Sequence, residues 1–372
     1  MDYKIDSAVE YHYNQFPPKN IAYPTIIDSL IKATDALARY YDQMLKNLYN
    51  TEILLTPLRN QEAVVSSRIE GTISTIDEIL QYEADYDDTD QPNIKSDVIE
   101  TILYQRCLKN SQKAMEDGYP LSPNFIRQMH QQLLYLGRGA DKSPGEFKKE
   151  QNFLADKIRK EIQFIPISPE KLTDGLELLF EFIENDHFPP LIKTAISHLE
   201  FEALHPFKDG NGRIGRMLIT LLLWKEGVLS QPHFYISGYF ETHKDEYIYQ
   251  MRNVSQTHQW EQWIQFFLQA VESQAIKNLQ IAEKIKTLYE ETKISLASIL
   301  SSKWNIQVVD FIFTNPVFRT NRFVKETQIP NATASGIIKK LLENDYIITK
   351  EAAAGSRSAL YSFEPMMRLV RV

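Results

Sequence analysis

Cysteine is nearly absent from this chain of 372 residues, which contains Cys107 and no other thiol. A single cysteine excludes an internal disulfide and a zinc site made of several thiolates, and it suits a reducing compartment. The chain also lacks apolar runs long enough to span a bilayer, and its first residues lack the pattern of a signal peptide. We therefore expect a cytoplasmic protein without a membrane partner.

An excess of positive charge is missing as well. Lysine and arginine number 41 against 49 aspartates and glutamates, a formal net charge of −8. This balance argues against nucleic-acid binding over the whole surface. Hydrophobic residues make up 43% and charged residues 24%, as in ordinary globular proteins. The length is sufficient for two or three domains with a substantial core.

The most informative stretch runs from His205 to Arg216 and reads HPFKDGNGRIGR. Gly210 and Gly212 permit left-handed backbone angles and carry no side chain, so a polyanion can approach main-chain N–H groups closely. The apolar residues from Ile214 onwards predict a helix. The glycines then lie at a helix N-terminus, which attracts phosphate.

The side chains of this stretch add acid–base and metal chemistry. His205 can take a proton near neutral pH, and Asp209 can hold a hard divalent cation. Arg213 and Arg216 are three residues apart and therefore share one face of the helix. Together these residues predict a site for nucleotide phosphates, a metal ion and a proton to be removed.

Three common motifs with similar spelling do not fit. In a calcium loop that placed Gly212 at the invariant glycine, Phe207 would replace the first carboxylate and Leu218 the bidentate glutamate. A hairpin turn at Asn-Gly needs alternating strands on both sides, and the residues that follow predict a helix. A P-loop ends in Gly-Lys-Ser/Thr, which this stretch lacks.

The stretch resembles the signature of the Fic family, H-x-F-x-[D/E]-G-N-G-R-x-x-R, with every fixed position filled. The resemblance implies transfer of AMP from ATP to a hydroxyl group of a protein. It also implies a role for each signature residue: His205 as the base, Asp209 on Mg²⁺, Asn211 with the amides of Gly210 and Gly212 on the phosphates, and Arg213 and Arg216 at the β/γ end.

A second short motif, SSRIEG from Ser66 to Gly71, has two interpretations. A glutamate before a helix-ending glycine is ordinarily a solvated side chain. The spelling also resembles the Fic family's inhibitory motif, [S/T]-x-x-x-E-[G/N], in the class whose inhibitory helix precedes the signature. That resemblance implies that Glu70, in a motif opened by Ser66, pairs with Arg216 and takes the place that the γ-phosphate needs.

The N-terminal region is predicted to be helical after a mobile lead-in that ends at Pro17-Pro18. Apolar spacing predicts helices over about 26–48 and 57–70. Thr75-x-x-Glu78 has the spelling of a capping box, which opens the next helix. The acidic stretch from Asp85 to Pro92 is interpreted as a solvated, exposed connector.

Helical spacing returns between residues 98 and 204, at 98–115, 123–136, 172–183 and 191–204. Residues 147–167 predict a short hairpin. It resembles the Fic flap, which pairs with an extended stretch of the target protein; a surface hairpin without a partner is the alternative. Tyr247, in a helix predicted at 239–251, resembles the adenine neighbour of Fic proteins, although Ile248 departs from a frequent aromatic. Tyr247 could equally be a core residue.

The last 70 residues predict a separate unit with helices at 306–313, 320–327 and 331–344 and strands at 346–349 and 360–363. These are the parts of a winged helix. Ten lysines and arginines against six acidic residues from Lys303 onwards permit DNA contact, for which Lys339, Lys340 and Arg357 are the candidates. Docking to protein or dimerisation is the alternative.

We therefore expect a mainly α protein with a helical Fic-type core, a small β-hairpin flap and a C-terminal winged helix-turn-helix domain. The predicted divisions are 1–95 (N-terminal region with the inhibitory helix), 96–270 (catalytic core), 271–302 (connecting helix) and 303–372 (winged helix). ATP and Mg²⁺ are the expected substrate and cofactor, and the expected partner is a target protein, with self-modification and a homo-oligomer as further possibilities. Alternatives are a related nucleotidyl or phosphoryl transfer, removal of AMP, or a DNA-binding regulator that senses nucleotide.

Overall fold

The computed structural model describes residues 3–5, 8–46, 51–85, 95–156, 158–229, 232–300, 302–355 and 357–372, with the backbone alone for 43–46. The fold is mainly helical, as predicted. The helices are α1 (Tyr23–Lys46), α2 (Glu52–Ile69), α3 (Ile76–Asp85), α4 (Ser96–Glu116), α5 (Pro123–Leu133), α6 (Leu172–Asn185), α7 (Pro190–Leu204), α8 (Asn211–Lys225), α9 (Ser237–Thr242), α10 (Lys244–Thr257), α11 (Trp260–Leu300), α12 (Asn305–Thr314), α13 (Thr320–Thr327), α14 (Asn331–Glu343) and α15 (Glu364–Val370).

Short strands form two small sheets. The strands are β1 (Val9–Glu10), β2 (Leu154–Asp156), β3 (Glu161–Ile165), β4 (Val317–Arg319), β5 (Ile348–Glu351) and β6 (Leu360–Ser362). The first sheet has the order β1-β3-β2, with β1 parallel and β2 antiparallel to β3. The hairpin predicted at 147–167 is therefore present, as β2 and β3. The second sheet is antiparallel and has the order β4-β6-β5.

The centre of the fold is the antiparallel pair α7 and α8. Both helices are apolar on several faces, and Ile196 and Ile214 are fully buried, as is Leu221. A helix buried on every side is held by its packing, so the turn between α7 and α8 has a rigid base.

The described residues 8–16 of the lead-in pack against the rest of the chain, and the prediction that the lead-in is mobile is wrong for them. Val9 pairs with Phe164 of β3, and the side chains of Tyr11 and His12 are buried. Both bond to Glu200 of α7, at 2.6 Å from the tyrosine hydroxyl and 2.8 Å from the imidazole Nε2. These contacts fasten the beginning of the described chain to the central helices.

Helix boundaries differ from prediction in two further places. The helix predicted at 239–251 is broken at His243 into α9 and α10. The predicted boundary between residues 270 and 271 falls inside α11, one continuous helix of 41 residues. The division into domains thus stays a prediction.

The capping box at the start of α3 is confirmed. The Thr75 hydroxyl accepts from the N–H of Glu78 at 3.2 Å, and the Glu78 carboxylate accepts from the N–H of Thr75 at 2.9 Å. At the end of the same helix Asp85 is buried at 4% exposure, so the exposed connector predicted from that residue is wrong at its first position. Residues 86–92 lie outside the described residues.

The helices and both strands predicted after residue 303 are present, together with β4 and α15, which were not predicted. The assignment of this unit as a winged helix stays a prediction. None of the described helices is both long and apolar enough to cross a membrane.

Candidate functional site

The site is built on the turn between α7 and α8. Helix α7 ends at Leu204, and His205 follows in a left-handed conformation, φ 45° and ψ 61°. Gly210, with φ 77°, precedes the first residue of α8. Residues with a side chain are disfavoured at left-handed angles. This explains the glycine at position 210 and means that the backbone of His205 is strained.

Asn211 closes this turn from inside. Its side-chain carbonyl accepts from the N–H of Phe207 at 2.8 Å, and its amide donates to the carbonyl of Phe207 at 2.8 Å. The side chain is 2% exposed. The Asn211 side chain is therefore bonded within the turn. The predicted contact of Asn211 with phosphate stays a prediction, and its main-chain N–H at the start of α8 is the group that would make it.

The imidazole of His205 is held in one tautomer. Its Nδ1 lies 3.3 Å from the carbonyl of Glu202, which can only accept, so Nδ1 carries the hydrogen and Nε2 keeps a lone pair. Burial, helped by the nearby ammonium of Lys148, lowers the pKa of His205 to about 4. At neutral pH the half-buried ring is therefore uncharged and able to accept a proton at Nε2.

Asp209 lies at the open side of the turn. One carboxylate oxygen accepts from the N–H of Gly210 at 2.6 Å, and the side chain is 42% exposed. No group of three or more His, Cys, Asp or Glu side chains in the described part of the chain could hold a metal by itself. A single carboxylate fits Mg²⁺, which proteins commonly bind through one or two carboxylates together with phosphate oxygens.

The two signature arginines bond to different helices at the start of α8. Arg213 is 3% exposed and lies 3.4 Å from Glu100 of α4 and 3.6 Å from Asp209. Arg216 is 1% exposed and bonds to the hydroxyl of Ser66 at 2.8 Å and to its carbonyl at 2.9 Å. The arginines are thus fixed before any ligand binds.

Glu70 completes the site from the end of α2. Its carboxylate accepts from Arg216 at 2.7 Å, so the ion pair implied by the resemblance is present. A β-carbon added at Gly212 would lie 2.2 Å from the same carboxylate, which shows how closely Glu70 approaches that main chain. Burial opposes ionisation, but Arg216 holds the pKa of Glu70 below its usual value. A charged carboxylate therefore occupies the N-terminus of α8.

Comparison with known families gives the same assignment. The Fic/DOC family N-terminal model matches residues 27–113, and the Fic/DOC family model matches residues 120–223, together more than half of the chain. The chain belongs to the Fic family.

Named relatives in this family are similar over part of the chain. A "probable protein adenylyltransferase" of Aquifex aeolicus is 26% identical over 182 residues, 48% of this chain and 52% of the relative. The protein adenylyltransferase fic-1 of Caenorhabditis elegans is 27% identical over 110 residues, 29% of this chain and 20% of the relative. The match thus spans about half the length of the first relative and a fifth of the second.

Solved structures share the fold. A Fic family protein from Desulfovibrio desulfuricans G20 has a TM-score of 0.59 at 19% identity, over 93% of this chain and 98% of that chain. A Fic-domain signalling protein from Bacteroides thetaiotaomicron has a TM-score of 0.55 at 20% identity, over 68% of this chain and 97% of that chain.

His130 of α5 supports the Fic signature, and the sequence did not reveal it. Its Nε2 donates to the carbonyl of Asp209 at 3.0 Å, and its Nδ1 accepts from the N–H of Gly145 at 2.9 Å. Its ring stacks on Phe207 with centroids 3.8 Å apart. A lone histidine on an amphipathic helix carries no sequence signal of this role.

A cavity of about 180 Å³ lies beside the Fic turn and is mostly apolar. The residues around it come from the flap, α7 and α10: Leu154, Ala155, Gln163, Phe164, Leu199, Glu202, Ala203, Ile248, Met251 and Arg252. Tyr247 is not among these described residues; it is 3% exposed, and its hydroxyl lies 2.7 Å from Nε2 of His198. The structure thus places Ile248 on the cavity wall and Tyr247 in the core behind it.

Proposed function

We propose that the chain is a protein adenylyltransferase, which moves AMP from ATP to a hydroxyl side chain of a target protein, and that Glu70 restrains this reaction. The observation that carries the proposal is that the carboxylate of Glu70 bonds to Arg216 and lies against the main chain of Gly212. The Glu70 carboxylate lies at a position where a helix N-terminus and an arginine would bind phosphate. The names of the relatives support AMP as the transferred group.

His205 is the base in this proposal. The target hydroxyl oxygen attacks the α-phosphorus of ATP while Nε2 of His205 takes its proton. The bond between the α-phosphorus and the bridging oxygen to the β-phosphate breaks, and pyrophosphate leaves. The N–H groups at the start of α8, with Arg213 and Arg216, hold the phosphates. Bound Mg²⁺, held by Asp209, would neutralise charge on the phosphate oxygens.

The target binds along the flap. In the sheet order β1-β3-β2, strand β2 has a partner on one side only among the described strands, so its other edge can pair with an extended segment. Phe153 and Leu154 at this edge are 48% and 39% exposed. Main-chain pairing there would bring a hydroxyl towards the turn with little demand on the target's sequence.

Restraint by Glu70 is electrostatic. The carboxylate neutralises Arg216 and repels an incoming γ-phosphate, so ATP binds in a pose in which the α-phosphorus is misaligned. A misplacement of about 1 Å can lower an in-line transfer roughly a hundredfold. Restraint therefore does not require that ATP be excluded.

The labelled position of ATP distinguishes this function from its rivals. Cell lysate would be incubated with the parent or with Glu70→Gly, and with ATP labelled on the α- or the γ-phosphate. AMP transfer predicts protein label from α-labelled ATP only, whereas phosphoryl transfer predicts it from γ-labelled ATP only. Loss of AMP from a preloaded target, without new label, would instead identify a deadenylylating enzyme.

The C-terminal unit fits a docking module better than a DNA-binding one, because it binds α2 and α3 of its own chain. Arg319 is fully buried and bonds to Asp85, and Arg371 bonds to Asp77 at 2.8 Å. Gln61 of α2 donates to the carbonyl of Val370 at 2.9 Å.

The predicted DNA contacts also have intramolecular neighbours. Arg357 bonds to Asp85 at 2.5 Å, Lys340 donates to the carbonyl of Ile299 at 2.9 Å, and Lys339 lies 3.7 Å from a glutamate on its own helix. Salt-dependent binding of the full chain to mixed duplex DNA, lost in a Lys339/Lys340 double variant, would favour the regulator instead.

A further inference from the structure

Lys148 and Asn152, in the part of the flap that precedes β2, bond to four successive carbonyls of the catalytic turn. Lys148 donates its main-chain N–H to the carbonyl of Pro206 at 2.8 Å and its ammonium to the carbonyl of Leu204 at 3.0 Å. Asn152 donates its side-chain amide to the carbonyls of His205 at 3.0 Å and Phe207 at 3.1 Å. The ammonium of Lys148 also donates to the side-chain oxygen Oδ1 of Asn152 at 2.8 Å.

Lys148 is buried without an acidic partner. It is 4% exposed, and no carboxylate in the described part of the chain forms an ion pair with it. Lys193, also buried, bonds to Glu226 at 3.0 Å. Burial lowers the pKa of Lys148 to about 7. An uncompensated buried amine is costly for stability, and such groups are concentrated at functional sites.

The charge of this lysine acts on His205. The charged groups near the imidazole are Lys148 from the segment before β2, Glu70 from the end of α2 and Asp209 from the turn itself. The two carboxylates favour an imidazolium, while burial and Lys148 oppose it. Since Lys148 titrates at higher pH than His205, the lysine is charged throughout the pH range in which the histidine takes up its proton.

We propose that Lys148 is a positioning residue for AMP transfer: with Asn152 it fixes the left-handed turn, and its ammonium adds to burial in keeping the imidazole of His205 uncharged, so that Nε2 can accept the hydroxyl proton. This inference rests on the proposed role of His205 as base. The segment leads directly into β2, so the same residues connect the flap, where the target would pair, with the base.

The test compares three variants on the Glu70→Gly background. Lys148→Met removes the charge and the ammonium hydrogen bonds, and Lys148→Arg restores a cation. Lys149→Met is the matched control, because the Lys149 side chain is 79% exposed and bonds only to Glu146 in the described structure, at 2.7 Å. Two readouts are needed: the imidazole titration of His205 by NMR, assigned with His205→Ala, and the rate of AMP transfer against pH.

Removal of a neighbouring cation stabilises an imidazolium, so Lys148→Met should raise the pKa of His205 and move the acid limb of the rate profile to higher pH. At neutral pH the maximal rate should fall by about tenfold to a hundredfold, with the KM for ATP nearly unchanged. Lys148→Arg should recover much of both properties, and Lys149→Met should match the background. An unchanged His205 titration in a folded Lys148→Met protein would overturn the proposal.

The two readouts separate this inference from the proposed function. If no variant transfers AMP but Lys148→Met still shifts the His205 titration, the proposed activity fails and the electrostatic role of Lys148 stands. If Lys148→Met does not fold, Asn152→Ala keeps the charge and removes the amide bonds to the turn. That variant should lower the rate without raising the pKa of His205, and a rate equal to the background would contradict the positioning role.

Discussion

The carboxylate of Glu70 lies 2.7 Å from the guanidinium of Arg216 and so close to the main chain of Gly212 that a β-carbon added there would lie 2.2 Å from it. Arg216 therefore binds an internal carboxylate and, in the proposed function, would also bind a phosphate of ATP. In the proposed function, competition for this buried cation links restraint and catalysis.

Loss of Arg216 should not be rescued by loss of Glu70. Arg216→Met removes both the partner of Glu70 and a phosphate contact, so the Glu70→Gly/Arg216→Met double variant should transfer AMP far more slowly than Glu70→Gly. Titration calorimetry with ATP and a rate measurement check this. Equal rates for the two proteins would remove Arg216 from phosphate binding.

His205 should be required for the chemical step and dispensable for ATP binding. On the Glu70→Gly background, His205→Ala should lower the rate by about 10²–10⁴-fold, the usual contribution of a general base. ATP affinity should stay within a few-fold of the background, because the phosphate contacts belong to α8. Similar label incorporation by both proteins would show that another group takes the proton.

Much of the catalytic half follows from sequence because its determinants are local. The apolar residues of α8, the glycines of the turn and the Thr75–Glu78 box each dictate backbone geometry within a few residues. The Glu70–Arg216 pair was also predicted from the sequence, but from the resemblance of two motifs to those of a family and not from the spacing of residues between them.

What the sequence did not reveal depends on long-range contacts or on helix phase. The pairing of Val9 with Phe164, and the burial of Asp85 against Arg319, join segments more than 150 residues apart. Consecutive residues on a helix point about 100° apart, so the rotation of the helix about its axis decides whether the side chain of Tyr247 or that of Ile248 lies at the cavity. Spacing alone did not fix that rotation.

The contact between the C-terminal unit and α3 should contribute strongly to stability. Arg319→Met would leave Asp85 buried with Arg357 as its remaining arginine partner, so it should cost less than the about 3–5 kcal/mol of a buried charge left unpaired, but more than loss of an exposed pair. Arg371→Met, at a partly exposed pair with Asp77, should cost about 1 kcal/mol or less. Urea denaturation of both variants measures the difference. If the contact also holds α2 in place, Arg319→Met should raise AMP transfer in a chain that keeps Glu70. Equal stability of the two variants, together with an AMP-transfer rate of Arg319→Met equal to that of the parent, would contradict docking.

Stability should fall in acid because of His198. Burial, with Arg216 nearby, lowers the pKa of His198 to about 3, below its ordinary value of 6.5. The unfolded chain therefore binds a proton that the folded chain excludes, so stability present above pH 6.5 is lost as the pH falls towards 3. Between about pH 7.5 and about pH 5 the parent should lose about 2 kcal/mol from this group. His198→Gln, which does not titrate, should lose less, and an equal loss in both proteins would exclude His198 as the cause.

Restraint by Glu70 is measured by self-modification from α-labelled ATP, compared between the parent and Glu70→Gly across several Mg²⁺ and ATP concentrations. Glu70→Asp serves as the graded control, since a shorter carboxylate reaches Arg216 less well and should restrain less. If Glu70 restrains transfer, label should appear fastest in Glu70→Gly, more slowly in Glu70→Asp and most slowly in the parent. Label in Glu70→Gly no faster than in the parent at every concentration would contradict restraint by Glu70.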